Sequence, residues 1–121
     1  MDDLVGHLIG DDLLQVDWMA MNKKANTLKG WAACLAHCIV YTLAVCACTG
    51  RWKPHLIGLV FLSHFPIDKT YVVAYYMKAT GAFRRVIVDP QVDMNHKVWA
   101  YLLVDNTVHI TLLWLIARYA L

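Results

Sequence analysis

Ala32-Ala-Cys-Leu-Ala-His37-Cys-Ile-Val-Tyr41-Thr-Leu-Ala-Val-Cys-Ala-Cys-Thr49 is a run without a single formally charged residue. At 1.5 Å rise per residue such a run is about long enough for one bilayer crossing. Trp31 and Trp52 flank it, where membrane-interface aromatics belong. The run predicts a helix from about Leu28 to Thr49, and its neighbours are read outward from it. A first helix, about Asp3 to Met21, is amphipathic, with Leu4, Ile9, Leu13, Leu14 and Met21 among polar residues. A third starts at Pro54, a favoured first-turn residue, and runs through Leu56–Phe65 and Tyr71–Met77 to Gly81. Pro66 interrupts it and predicts a kink or break close to His64 and Asp68. The segment 81–95 reads as irregular, with a turn at Asp89-Pro90. A last helix spans about His96 to Tyr119.

The expected fold is therefore all-α: one domain over residues 1–121, a four-helix bundle with about three transmembrane helices and an amphipathic or buried first helix. Composition agrees, since 60% of the 121 residues are apolar or aromatic and only 17% are charged. A soluble bundle with an apolar core is the alternative. The net charge is +2, and the basic residues form no dense patch, so nucleic acid is not an expected partner. The loops carrying Lys23, Lys24 and Lys29 and Lys78, Arg84, Arg85 and Lys97 share one side, while Arg51, Lys53 and Arg118 lie on the other. The richer side is placed in the cytoplasm. The amino terminus lacks the pattern of a secretory signal, so the whole chain is read as mature protein. Cys34, Cys38, Cys46 and Cys48 fall in one helix with no distant partner, which predicts apolar filler in place of a disulfide framework or zinc knot.

Three predicted helices carry a His and an Asp four residues apart: His7 with Asp11, His64 with Asp68, and Asp105 with His109. Residues i and i+4 share a helix face, and composition gives about one such pair by chance. An ionisable group inside an apolar helix is costly unless paired, hydrogen-bonded or bound to a metal. His37 adds a further imidazole in the middle of the second helix, with Tyr41 one turn on. His7, Asp11, His37, His64, Asp68, Asp105 and His109 together suit one or two divalent transition-metal ions with mixed nitrogen and oxygen ligands, such as zinc, manganese or iron. With no Glu in the chain, the ferritin-like di-iron pattern is absent. His55 and His96, at helix starts beside lysines, are read as surface residues.

The motifs His7-x-x-x-Asp11-x-x-Leu14-Gln15, Asn22-Lys23, His37-x-x-x-Tyr41, His64-Phe65-x-Ile67-Asp68 and Asp105-Asn106-x-x-His109 resemble those of a family of small bacterial and phage membrane proteins of unknown function. The resemblance covers nearly the whole chain. Asn106 stands where the family pattern has Gln, a change expected to alter a hydrogen bond around the site and to leave the ligands as they are. The resemblance implies a multi-pass protein of the bacterial inner membrane, encoded by a bacterium or a phage, and supplies no activity. Its His/Asp arrangement is in turn similar to that of inner-membrane metal-dependent hydrolases, and more remotely to helical zinc phospholipases and nucleases.

The leading functional expectation is a membrane-embedded metal-dependent hydrolase acting on a phosphoester or lipid-like substrate, with membrane lipid around it. An aspartate among Asp11, Asp68 and Asp105 that is not needed as a ligand serves as general base. Gln15 and Tyr41 position water or substrate, and Lys23 or Lys69 neutralises a phosphate. No glycine-rich phosphate loop and no G-x-S-x-G elbow is present. The alternative is a non-enzymatic membrane protein whose His/Asp pairs lock helix packing or bind a partner. A third reading, haem held by His37 and His109, leaves the aspartates without a role.

Overall fold

The computed structural model describes residues 1–120, which among them form helices and no strands. The chain runs α1 (Asp2–Leu8), a π-helical turn (Ile9–Leu13), α2 (Asp17–Asn22), α3 (Leu28–Thr49), α4 (Pro54–Lys69), α5 (Val72–Thr80), α6 (Arg84–Val88) and α7 (Met94–Tyr119). Helix α3 has the expected bounds. Thr27 caps its start by accepting a hydrogen bond from the Gly30 amide at 3.1 Å, and Gly50 ends it in the left-handed conformation. Helices α3 and α7 are long and apolar enough to cross a membrane, with mean hydropathies of 1.9 and 1.5. Helices α4 and α5 make a third span if counted together, bent by 71° where they meet.

Three sequence expectations need correction. The first helix is not continuous, because the π-helical turn and an extended Val16 divide it. The third does break near Asp68, by 71°, but the bend falls at Thr70-Tyr71 and not at Pro66 itself, which α4 passes through to end at Lys69. The physical reason lies in a distant loop. Lys24 Nζ donates to the carbonyls of Ile67, Asp68 and Thr70 at 3.2, 3.2 and 2.8 Å and so satisfies the orphan acceptors of the helix end there. The segment 81–95 is also less irregular than expected, since α6 lies within it.

Helix α3 is the centre of the packing. It touches α1, the π turn, α2 and α4, while α7 closes the bundle against α1, α4, α5 and α6. Tyr41, Val45, Val60 and Leu113 form one small apolar cluster, and Ile67, Val73 and Met77 another. The distribution of side chains is inverted relative to a soluble domain. His7 and His37 are 0% exposed, whereas Leu62 is 67% and Leu103 57% exposed. Water penalises that arrangement and lipid favours it.

Candidate metal centre

The six cluster residues arrive from four elements. Asp11 sits in the π-helical turn, a conformation frequent at functional sites. The turn is pressed onto α3 through two glycines. A Cβ built on Gly6 would lie 2.9 Å from Val45 Cα, and one on Gly10 2.9 Å from Tyr41 Cδ2, so only glycine allows this approach. His37 comes from the middle of α3, His64 and Asp68 from successive turns of α4, and Asp105 and His109 from successive turns of α7. All six are buried.

The Asp68 carboxylate is the hub. Its Oδ2 lies 2.7 Å from His37 Nε2, 3.1 Å from His64 Nε2 and 3.0 Å from Lys23 Nζ. Asp11 Oδ1 is 3.1 Å from His37 Nε2, and the Nε2 atoms of His37 and His64 are 3.0 Å apart. On the other side, His64 Nδ1 faces His109 Nδ1 at 3.0 Å. His109 Nε2 lies 3.4 Å from Asp68 Oδ1 and 3.6 Å from Asp105 Oδ2, yet it has no hydrogen-bond partner among the described residues. His37 Nδ1 is buried without one as well.

Asp11 and Lys23 lie outside the membrane-crossing helices, and each is shifted by its neighbours. Burial pushes the Asp11 carboxyl up, but the hydrogen bond from His37 and the charges of His64 and Lys23 hold it below the usual carboxylate range. Burial likewise lowers the Lys23 ammonium, and the Asp68 and Asp11 carboxylates raise it above the ordinary lysine value. Lys23 is a fixed cation beside the cluster.

Two groups of side chains present ligand atoms that all lie within 4.8 Å of one another: Asp11, His37, His64 and Asp68, and Asp11, Asp105 and His109. The fit to an ion can be tested on the first group. Ligand atoms at about 2.0–2.2 Å from a common ion are about 2.8–3.6 Å apart for right-angled to tetrahedral arrangements. Four of the six edges, 2.7 to 3.1 Å, lie at or just below the short end of that range, and all six are within 4.8 Å. The donor set of imidazole nitrogens and carboxylate oxygens suits zinc, manganese or iron and holds no soft sulfur ligand.

The remaining sequence candidates surround the cluster. His7 lies outside both groups with its two ring nitrogens engaged. Its Nε2 donates to Asn106 Oδ1 at 2.7 Å, and Tyr41 Oη lies 3.1 Å from its Nδ1. Its contact with Asp11 is at the outer limit of ion-pair distance, 4.0 Å from Nε2 to Oδ2. Tyr41 also stacks on the His64 ring at 3.6 Å between centroids, so it clamps two histidines. Gln15 Nε2 donates to the Asp11 carbonyl at 3.1 Å, and its Oε1 is buried without a partner. Lys69 Nζ turns away from the cluster, donating to the Lys23 and Ala25 carbonyls at 3.2 and 2.6 Å over the Trp31 ring. The four cysteines are free.

Sequence reasoning missed Gly6 and Gly10, whose small-x-x-x-small spacing was the available signal, and Lys24, for which spacing offers none. The model of a family described as a protein of unknown function, DUF3307, matches residues 1–121. No curated protein and no solved structure matches the chain.

Proposed function

We propose that this chain, which belongs to the DUF3307 family over its whole length, is a membrane-embedded metal-dependent hydrolase of phosphoester or lipid-like substrates. The observation that carries the reading is the buried foursome Asp11, His37, His64 and Asp68, whose ligand atoms converge from three elements to within 4.8 Å of one another. A divalent ion held there would polarise a scissile phosphoryl or acyl oxygen and acidify water. Asp105, outside the foursome, is the carboxylate free to accept a proton. Lys23, beside Asp68, offers its ammonium to an anionic group, and Gln15 Oε1 offers an acceptor to water or substrate. Tyr41 and His7 hold the imidazoles in place, and Lys69 fastens the loop that carries Lys23. The richer basic loops, residues 22–29 and 78–97, are assigned to the cytoplasmic side of a bacterial inner membrane.

The test is elemental analysis of the full chain purified in detergent, followed by hydrolysis assays on an aryl phosphodiester and on phospholipid vesicles. The wild type is expected to retain zinc, manganese or iron and to hydrolyse one of the two substrates. His37→Gln is expected to lose metal and activity together. A metal-free wild type that hydrolyses neither substrate, with His37→Gln merely less stable, would leave the His/Asp cluster as a packing device.

A further inference from the structure

The proposed function needs one ion, and the second group of ligands is not used by it. We infer that the centre holds two ions bridged by the carboxylates of Asp11 and Asp68, the second ion being ligated by His109 and Asp105. This rests on the metal-centre reading above and goes beyond it in nuclearity and in the role of Asp105.

Three observations carry the inference. Asp11 belongs to both groups of convergent ligand atoms. Asp68 also faces both: its Oδ2 lies among the first group, 2.7 Å from His37 Nε2 and 3.1 Å from His64 Nε2, and its Oδ1 lies 3.4 Å from His109 Nε2 in the second. A carboxylate that presents one oxygen to each of two ligand sets is placed to bridge ions about 3.5–4 Å apart, the separation found in two-metal hydrolytic sites. The third observation is His109 Nε2 itself, a nitrogen on a residue 2% exposed that hydrogen-bonds to neither carboxylate flanking it. A buried imidazole nitrogen left without a partner is unfavourable, whereas its 3.4 and 3.6 Å distances to Asp68 Oδ1 and Asp105 Oδ2 are close to those of ligands sharing one ion.

Charge points the same way. Three carboxylates converge here against one ammonium, Lys23, which touches only the Oδ2 edge of Asp68. The Oδ1 edge, with Asp105, has no fixed cation within ion-pairing distance among the described residues, so a second divalent ion compensates the side that Lys23 does not reach. Asp105 then acts as a ligand and is no longer the proton acceptor. The ion it takes is a divalent transition metal tolerant of a carboxylate-rich, single-imidazole set, for which manganese or iron is better suited than zinc.

The experiment loads the full chain in detergent with Mn²⁺, removes the excess, counts metal per chain and records the electron paramagnetic resonance spectrum. About two ions per chain and an exchange-coupled spectrum are expected, as for a carboxylate-bridged pair. Asp105→Asn is expected to bind about half as much Mn²⁺ as the wild type and to show the hyperfine pattern of an isolated ion. One ion per wild-type chain, uncoupled and unaffected by Asp105→Asn, overturns the two-ion centre and leaves the single-ion reading standing. No bound ion overturns both. If Asp105→Asn does not fold, the wild-type count and coupling decide alone.

Discussion

A buried neutral imidazole has one donor and one acceptor, and it is stable only where both are met. His7 shows the rule. Asn106 Oδ1 can only accept, so His7 Nε2 carries the proton, and Nδ1 is left to accept from the Tyr41 hydroxyl. Asn106→Leu removes the acceptor and strands a buried N–H, at a cost of about 1–3 kcal/mol. The expected result is a lower melting temperature in detergent with the metal content of the wild type retained; loss of metal with unchanged stability would contradict the fastening role of His7. At this scale the sequence was informative wherever spacing and cost coincided. His64 with Asp68, and Asp105 with His109, stand one helical turn apart in apolar helices that tolerate them only in company, and His37 is equally out of place. The His7–Asp11 pair has the same spacing, yet its contact is a loose 4.0 Å, with Asp11 closer to His37 and His7 closer to Asn106 and Tyr41. Nothing in the residues between them announces the π-helical turn that carries Asp11.

Among the elements, α1 is held to α3 by proximity more than by apolar area, because several of its large side chains point outward. Gly6→Ala and Gly10→Ala each put a methyl carbon 2.9 Å from an atom of α3, at least about 0.5 Å inside ordinary carbon–carbon contact. Overpacking of this kind costs about 1–3 kcal/mol, and at Gly10 it also pushes Asp11 away from His37. Gly58 has open space around it, and Gly58→Ala is expected to be neutral or to stabilise by up to about 1 kcal/mol through helix propensity. Thermal unfolding of the three variants side by side checks the contrast. If Gly58→Ala proves as damaging as the others, close approach is not the cause. Helix α3 was fully legible because the uncharged run from Ala32 to Thr49, flanked by tryptophans, leaves few choices. The end of α4 was not, because it depends on Lys24, more than forty residues away, and local sequence carries no trace of such a contact. The amphipathic first segment likewise has the composition of one helix, while its geometry is that of three short pieces.

At the scale of the whole molecule, the inversion of polar and apolar side chains makes lipid the favoured solvent. The orientation proposed from the charge asymmetry is one that labelling can check. In a cysteine-free background, Asn26→Cys is expected to react with an impermeant maleimide only from the cytoplasmic face of inverted vesicles, and Lys53→Cys only from the opposite face. Labelling of both from one face would refute the arrangement of spans. The overall helical architecture could be read from composition and periodicity alone, but the meeting of four elements at Asp68 depends on three-dimensional packing. The corner between α4 and α5 has a further consequence. Its bare carbonyls are satisfied by an amino group reaching in from the loop before α3, so the corner cannot sink farther from that loop than one extended lysine can follow. The side chain is a mooring line of fixed length. Because Asp68 lies within the same stretch of backbone, the acidic hub is held at a fixed reach from that loop, and any displacement of one is expected to carry loop, corner and hub together.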